Sequence, residues 1–455
     1  MNFYIEDYLP AFMFVALAIF LFSGYPVGFV LGGIGLAFGF IGIYFDVFSQ
    51  IEFFNLVLRI WGIADNLVLV AIPMFIFMGT MLERSGVATD LLHCLQVLFR
   101  RTPGGLALSV TLMGTIMAAT TGIIGASVVM ISLMALPMML ERKYNMELAT
   151  GTIASSGTLG ILIPPSIMLV IMADLLSRSV GTLFVAAVLP GLLLASLYFI
   201  YIFTLCKLKP ELAPPLPEAL GPDTFKDLMK LLWKGFIPPV FLIFMVLGSI
   251  VAGWATPTEA AGVGAFGAIL LAIYNRKLSF AVLRDVIERT ALTNGMLFFI
   301  FIGATAFSYV FRSLGGEELI TDFIFQFGFG PWGILLVLMI VVFFLGFFFD
   351  WIEITLIVLP VFAPIITSLD FGDHVAKMDV VYWFAILMAV NLQTSFLTPP
   401  FGFALFYMKG VAPPEVKINQ IYRGIIPFVL LQLVGLGMVM AFPAIAMWLP
   451  GKLLN

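Results

Sequence analysis

The chain has 455 residues, 62% of them hydrophobic and only 11% charged, with a mean hydropathy of +1.13. A soluble domain carries about 25% charged residues, so a soluble globular class is excluded, and a formal net charge of −4 gives no basis for nucleic-acid binding. Cys94 and Cys206 stand in separate segments, and His93 and His374 are far apart with no H-E-x-x-H or G-x-x-x-x-G-K-[ST] motif, which excludes a disulfide or zinc framework, a zinc protease and a P-loop ATP-driven pump.

Apolar runs of about 20 residues, long enough to cross a bilayer, recur along the chain. In order, 9–23, 26–45, 66–82, 147–177, 182–206, 237–253, 257–275, 291–312, 380–408 and 424–449 predict ten crossings. No Lys or Arg precedes the first, and Glu6 and Asp7 stand before it, so a permanent span is expected rather than a cleaved leader. Residues 103–140 and 331–369 are apolar but too long for one crossing, and are interrupted by TTGIIGAS (120–127) and LGFFFD (345–350). Each reads as a re-entrant helical hairpin or as two full spans. The shorter, more charged segments 86–101, 224–235, 278–290, 316–330 and 414–423 predict helices along the membrane interface.

Lysine and arginine set the sidedness. With the N-terminus outside and both long regions re-entrant, only Arg59, Arg178, Arg312, Lys377 and Lys452 of the 22 basic residues face out. The positive-inside rule favours that arrangement. Two full spans in place of a hairpin satisfy the same charge distribution, so charge does not choose between them. An internal repeat favours the hairpins: SLMALPMM (132–139) resembles TLIVLPVF (355–362), and GILIPPS (160–166) resembles SFLTPPF (395–401). Residues 1–207 and 237–455 then each hold five spans and one hairpin, joined by a cytoplasmic connector, 208–236. An odd number of spans inverts the second half. The expected fold is thus an all-α polytopic membrane protein with an inverted repeat, the architecture of a secondary transporter.

The proline pairs Pro164-Pro165 and Pro399-Pro400 sit inside long uncharged runs. Proline removes a backbone donor and clashes with the preceding turn, at about 3 kcal/mol in a helix interior. An interrupted helix at membrane depth must line a cavity or be packed in protein. Ala154-Ser155-Ser156-Gly157-Thr158 precedes the first pair and Asn391-Leu392-Gln393-Thr394-Ser395 the second. Their oxygens suit a hard cation such as Na⁺, and the adjacent helix N-termini suit a carboxylate. The plain alternative is that these hydroxyls join helices by hydrogen bonds.

These stretches, with AIPMFIFMGTMLERSG (71–86), SVGTLFVAAVLPGLLLA (179–195) and GWATPTEAAGVGA (253–265), resemble the large membrane subunit of tripartite ATP-independent periplasmic (TRAP) transporters over nearly the whole chain. The resemblance implies an elevator-type transport domain moving across a scaffold in the bacterial inner membrane. It implies Na⁺ as coupling ion and no other cofactor. It implies a separate small four-helix membrane subunit, a periplasmic substrate-binding protein that delivers the substrate, and an organic acid as that substrate. It places one cation site between the first tip (Gly122, Gly125, Ser127) and Ser155, Ser156, Gly157 and Thr158. A second falls between Gly346 and Asp350 of the second tip and Asn391, Gln393, Thr394 and Ser395. Many relatives carry a serine-rich first tip where this chain reads TTGIIGAS. A proton-coupled or binding-protein-independent organic anion transporter of the same superfamily, or a channel, is the alternative to this function; an enzyme is not expected.

Among other candidates, Asp350 and Glu353 are acids at membrane depth, which function by default. Glu259 is expected to cap the helix at Pro257 with Thr256 or Thr258, and His93 and His374 are expected to be exposed. Arg59 and Asp65 flank a short outer segment that a partner would touch.

Single cysteines placed at Arg101 and Lys143 should react with impermeant thiol reagents from the cytoplasm only, and those at Gly330 and Asp370 from outside only. Labelling of one hairpin's two ends from opposite sides would replace the hairpin by two spans.

Overall fold

The computed structural model describes residues 5–121, 124–216, 221, 224–326, 328–399 and 402–454. These residues form helices and connections, with no strand among them. The first half holds α1 (Leu9–Leu21), α2 (Val27–Tyr44), α3 (Glu52–Ala64), α4 (Ala71–Arg84) and α5 (Val87–Phe99), then α6 (Gly105–Thr121) and α7 (Ile124–Glu141), α8 (Met146–Thr158), α9 (Ile167–Leu175) and α10 (Val180–Leu208). The second holds α11 (Phe225–Gly235), α12 (Ile237–Val251), α13 (Pro257–Tyr274), α14 (Phe280–Ser313) and α15 (Gly316–Gln326), then α16 (Pro331–Leu345) and α17 (Trp351–Ser368), α18 (Val380–Leu397), α19 (Phe403–Val411), α20 (Ile418–Ala441) and α21 (Ala444–Leu453). Among the described residues nine helical stretches are long and apolar enough to cross a membrane, and a tenth is α11 with α12 if that pair, bent by 42°, is one span.

Both long apolar regions are helix pairs, α6–α7 and α16–α17, and both proline-bearing runs are broken helices, α8–α9 and α18–α19. The boundaries of two interface segments need correction. Residues 278–290 are not separate from the following span: α14 runs unbroken through 34 residues. Its charged first turns stay helical because they pair along their own face, Arg284 with Glu288 at 2.7 Å and Arg289 with Asp285 at 3.1 Å. Arg84 at the end of α4 also reaches Asp285, at 2.6 Å. Likewise 414–423 runs into α20, while the expected span to residue 449 ends at Ala441 and α21 follows separately. Helix α3 was not anticipated. It presents Phe54, Val57, Leu58 and Trp61 outward. Helix α11 fits an interfacial helix: Phe225, Met229 and Trp233 are exposed at four-residue spacing beside Lys226, Lys230 and Lys234.

Glycines set the closest helix contacts. A Cβ on Gly303 of α14 would lie 2.4 Å from the Gly28 carbonyl of α2, and one on Gly151 of α8 would lie 2.1 Å from the Gly424 carbonyl of α20. Without a hydrophobic drive between helices in lipid, such backbone-level packing holds the bundle together. Thr256 and Glu259 form the expected cap of α13: the Thr256 hydroxyl accepts from the Glu259 N–H at 3.3 Å, and Glu259 accepts from the Thr256 N–H at 2.7 Å. His93 is exposed, but His374 is not simply exposed. Its ring sits edge-on to Trp332 at 4.7 Å, and its Nε2 lies 2.9 Å from the Met440 carbonyl.

Gly151→Ala should lower the melting midpoint, because overpacking costs about 1–3 kcal/mol. Gly262→Ala, in α13 with nothing within 4 Å of the added atom, should raise it slightly. Thermal unfolding of the detergent-solubilised protein reads both; equal effects would remove the close crossing as their cause.

Candidate functional site

The first break is closed by a residue that sequence reasoning passed over. After α8 the chain makes a short 3-10 turn, Leu159–Ile161, then reaches Pro164-Pro165. The Ser166 hydroxyl donates to the Ile161 carbonyl and accepts from the Leu169 N–H at 3.5 Å, so one side chain satisfies both broken ends. A serine directly before an apolar run is a helix N-cap signal, legible in PPSIMLV. At the second break α18 ends at Leu397 and Thr398 bonds back to the Thr394 carbonyl at 2.6 Å. Gly402 opens α19 in the left-handed conformation that glycine adopts without strain. Pro399 lies in the turn between them; Pro400 lies outside the described residues.

Both polar patches are buried. In the first, Ser155 donates to the Gly151 carbonyl at 2.8 Å and Thr158 to the Ser155 carbonyl at 3.0 Å, so their protons are used within α8. The Ser156 hydroxyl is buried with no hydrogen-bond partner. In the second, the Asn391 amide donates to the Met339 carbonyl of α16 at 2.7 Å, and Thr394 and Ser395 donate to the Asn391 carbonyl at 2.6 and 3.4 Å. Neither polar atom of the Gln393 amide has a partner.

Each hairpin packs on the break of its own half. A Cβ on Gly157 would lie 2.5 Å from Val128, next to the buried Ser127 of α7, and one on Gly346 would lie 2.0 Å from Ser395. The first hairpin therefore meets its patch at Gly157 and the second at Ser395, while Ser156 stands against Gly114 of α6. Gly122 lies outside the described residues. Gly125 stands against the Tyr407 ring, which a Cβ would approach to 3.0 Å.

Asp350 has a structural partner. Its carboxylate accepts from the Trp351 N–H at 2.8 Å, and Glu353 accepts from the Asp350 N–H at 3.2 Å, a reciprocal cap at the start of α17. Asp350 also lines a cavity of about 100 Å³. The other walls are Ile124 and Gly125 of the first tip, Trp351 and Ile352 of the second, Ile167 after the first break, Phe403 and Tyr407 after the second, and Thr293, Met296 and Leu297 of α14. Both tips, both post-break helices and one long helix thus converge on a single space. Asp350, Thr293, Tyr407 and Trp351 are the residues of this lining that carry polar side-chain groups. Helix α14 was absent from the expected site. The signal was the group Thr290, Thr293 and Asn294, in which the Thr290 hydroxyl and the Asn294 side-chain oxygen are buried and unpartnered. Among the described residues no three His, Cys, Asp or Glu side chains cluster as a metal centre.

Fold and site together define a multi-pass α-helical membrane protein built around two interrupted helices. The family model for the "Tripartite ATP-independent periplasmic transporter, DctM component" matches residues 14–445, and the chain belongs to that family, as a component of the bacterial inner membrane. It is 30% identical over 408 residues to the C4-dicarboxylate TRAP transporter large permease DctM of Pseudomonas aeruginosa, covering 90% of this chain and 92% of that one. It is 27% identical over 436 residues to the sialic acid TRAP transporter large permease SiaM of Vibrio cholerae, covering 94% and 96%. The isethionate TRAP transporter permease DctMQ of Oleidesulfovibrio alaskensis is 30% identical over 98% of this chain, which spans 68% of that longer protein. The fold is shared with the Alcanivorax borkumensis YdaH transporter, at a TM-score of 0.58 and 15% identity over 89% of each chain.

A buried polar group without a partner costs about 1–3 kcal/mol. Gln393→Leu should therefore raise the melting midpoint while abolishing substrate uptake. A lower midpoint with intact uptake would make Gln393 a packing residue.

Proposed function

We propose that this chain is the translocating subunit of a system importing a small organic acid down a Na⁺ gradient. The observation that carries the reading is the convergence of two hairpin tips and two helix breaks on one cavity at membrane depth. Irregular backbone at that depth is tolerated only where it is packed or lines a cavity, and its freed groups serve ions and substrate. Among the buried polar groups without a partner, Ser156 and Gln393 are the ones that lie in the patches before the breaks, which makes them the strongest candidate ligands. The acid class follows the relatives' named substrates, C4-dicarboxylate, sialic acid, 2,3-diketo-L-gulonate and isethionate.

The two tip-and-break units would be the inverted halves of a body that moves as an elevator, with α14 on the facing scaffold. A periplasmic binding protein would deliver the acid at the outer face. A separate small membrane subunit would pack on the exposed apolar helices, in the place of the additional length of the DctMQ relative.

Coupling follows from charge. One positive charge moving inward at 100 mV supplies about 2.3 kcal/mol, roughly a 50-fold accumulation. A monocarboxylate cancels one cation, so electrogenic uptake needs at least two, and the two tip-and-break units offer two sites. Proteoliposomes holding the subunit with its small subunit and binding protein should take up a radiolabelled monocarboxylic acid only with inward Na⁺, faster with a negative interior. Equal uptake in choline buffer would remove Na⁺ and leave Asp350 as first suspect for a proton. Ser156→Ala should raise the Na⁺ requirement with the fold intact. Pro164→Ala and Pro399→Ala restore a backbone donor and should depress uptake even at saturating Na⁺; normal transport in both would make the breaks packing features.

A further inference from the structure

A second cavity, of about 510 Å³, is distinct from the one between the tips. It runs along one face of α14, through Phe301, Ala304, Thr305, Ser308 and Arg312, and one face of α17, through Leu356, Pro360, Ala363, Pro364 and Thr367. The smaller cavity uses the same helices further along, up to Leu297 and Ile352. The lining of the large cavity begins four positions after that of the small one ends on each helix, a rise of about 6 Å at 1.5 Å per residue. The large cavity therefore stands directly over the small one, at the helix ends that the basic-residue distribution places outside.

Three arginines line it, Arg59, Arg178 and Arg312, from a chain that puts only five basic residues on that side by the reading above. Arg312 is committed. Proline at 364 has no N–H, which leaves the Pro360 carbonyl without its helical donor; Arg312 donates to that carbonyl at 2.7 Å and pairs with Glu317 at 2.6 Å. Arg59 and Arg178 have no carboxylate partner among the described residues. Each instead lies over a tyrosine ring, Arg59 at 4.9 Å from the centre of Tyr309 and Arg178 at 5.9 Å from Tyr382. Both tyrosines are tethered: the Tyr309 hydroxyl accepts from the Asn55 amide at 3.2 Å and the Tyr382 hydroxyl from the Ser179 N–H at 3.4 Å. A cation–π contact uses none of the guanidinium N–H donors, so both arginines keep the donors that bind a carboxylate through two hydrogen bonds. The hydroxyls of Thr305, Ser308 and Thr367 complete a polar lining. The volume suits a molecule up to the size of a sugar acid.

We infer that Arg59 and Arg178 form an outer anion subsite, which holds the carboxylate of an organic acid before it enters the cavity between the hairpin tips. The inference rests on the sidedness and substrate class proposed above. Arg59 comes from α3 beside α14, and Arg178 from the end of α9 beside α18, so the two charges reach the space from different walls. A cleft with one sign of charge and low-dielectric walls concentrates counter-ions and raises their encounter rate by about 10-fold or more.

The test uses the full chain with a single added cysteine, Thr367→Cys, at the exposed rim; the native Cys94 and Cys206 are buried. Its reaction is followed in intact cells with an anionic and a cationic impermeant methanethiosulfonate of similar size. The anionic reagent should react faster. Arg59→Gln with Arg178→Gln should lower the anionic-to-cationic ratio about 10-fold. Millimolar succinate, citrate or gluconate should slow the anionic reagent with the arginines present and have no effect in the double variant. Size-exclusion profiles and the cationic reagent's rate report that the fold survives. Reaction from outside with a ratio indifferent to the arginines and to the acids overturns the subsite and leaves the sidedness standing. Reaction only in inside-out vesicles overturns the sidedness and, with it, an outer subsite.

Discussion

A backbone polar group at membrane depth must find a partner within the protein, and this constraint governs the positions of the helices. Helix α18, which ends at a break, is 94% buried, whereas α2, which is unbroken, is 39% buried. From Leu148 to Thr158 every residue of α8 is buried as well. The broken helix α18 is thus the most deeply buried of the candidate spans, and outer unbroken helices such as α2 and α13 leave more than half of their length unburied. Exposed Phe12, Phe29, Phe40, Phe241 and Phe266 on the outer helices show the same division from the other side.

Burying the breaks creates a second demand, because a broken end inside protein exposes donors and acceptors to no water. Ser166 answers it at the first break and Thr398 with Gly402 at the second. Asp350 and Glu353 answer it at the second hairpin by capping α17 reciprocally. Ser156 and Gln393, in the patches before the breaks, have no such answer, and neither do Ser132, Thr152, Thr355 and Gln432. In a centre where nearby hydroxyls are bonded back to the helix, these polar atoms remain uncommitted, which is the condition a binding group must meet.

Close approach is the third element. Hairpin and break meet at Gly346 against Ser395 and at Gly157 against Val128, distances that any side chain on the glycine would forbid. Helix α14 closes the site because it runs unbroken for 34 residues, with the small cavity at Thr293–Leu297 and the large one at Phe301–Arg312. One continuous helix therefore runs past both cavities.

The sequence by itself determined the solvent, the helical class and the four interruptions, since each is written in local chemistry. Runs of about 20 apolar residues, proline pairs inside two of them and the LGFFFD and TTGIIGAS interruptions are legible without neighbours. The cap of α13 by Thr256 and Glu259 was legible for the same reason, as both partners lie within one turn. Which hydroxyls are free was not legible. Ser155 and Ser156 are adjacent and chemically identical, yet one faces its own helix carbonyl and the other has no partner. Asp350 and Glu353 carry the same one-turn spacing, so their cap of α17 was equally legible, although the residues were read there only as acids at membrane depth. The membership of Thr293, Tyr407, Arg59 and Arg178 in two stacked cavities was decided by packing between segments up to hundreds of residues apart. Periodicity and composition report what a stretch of chain can bury, whereas a cavity is the space that several stretches leave between them.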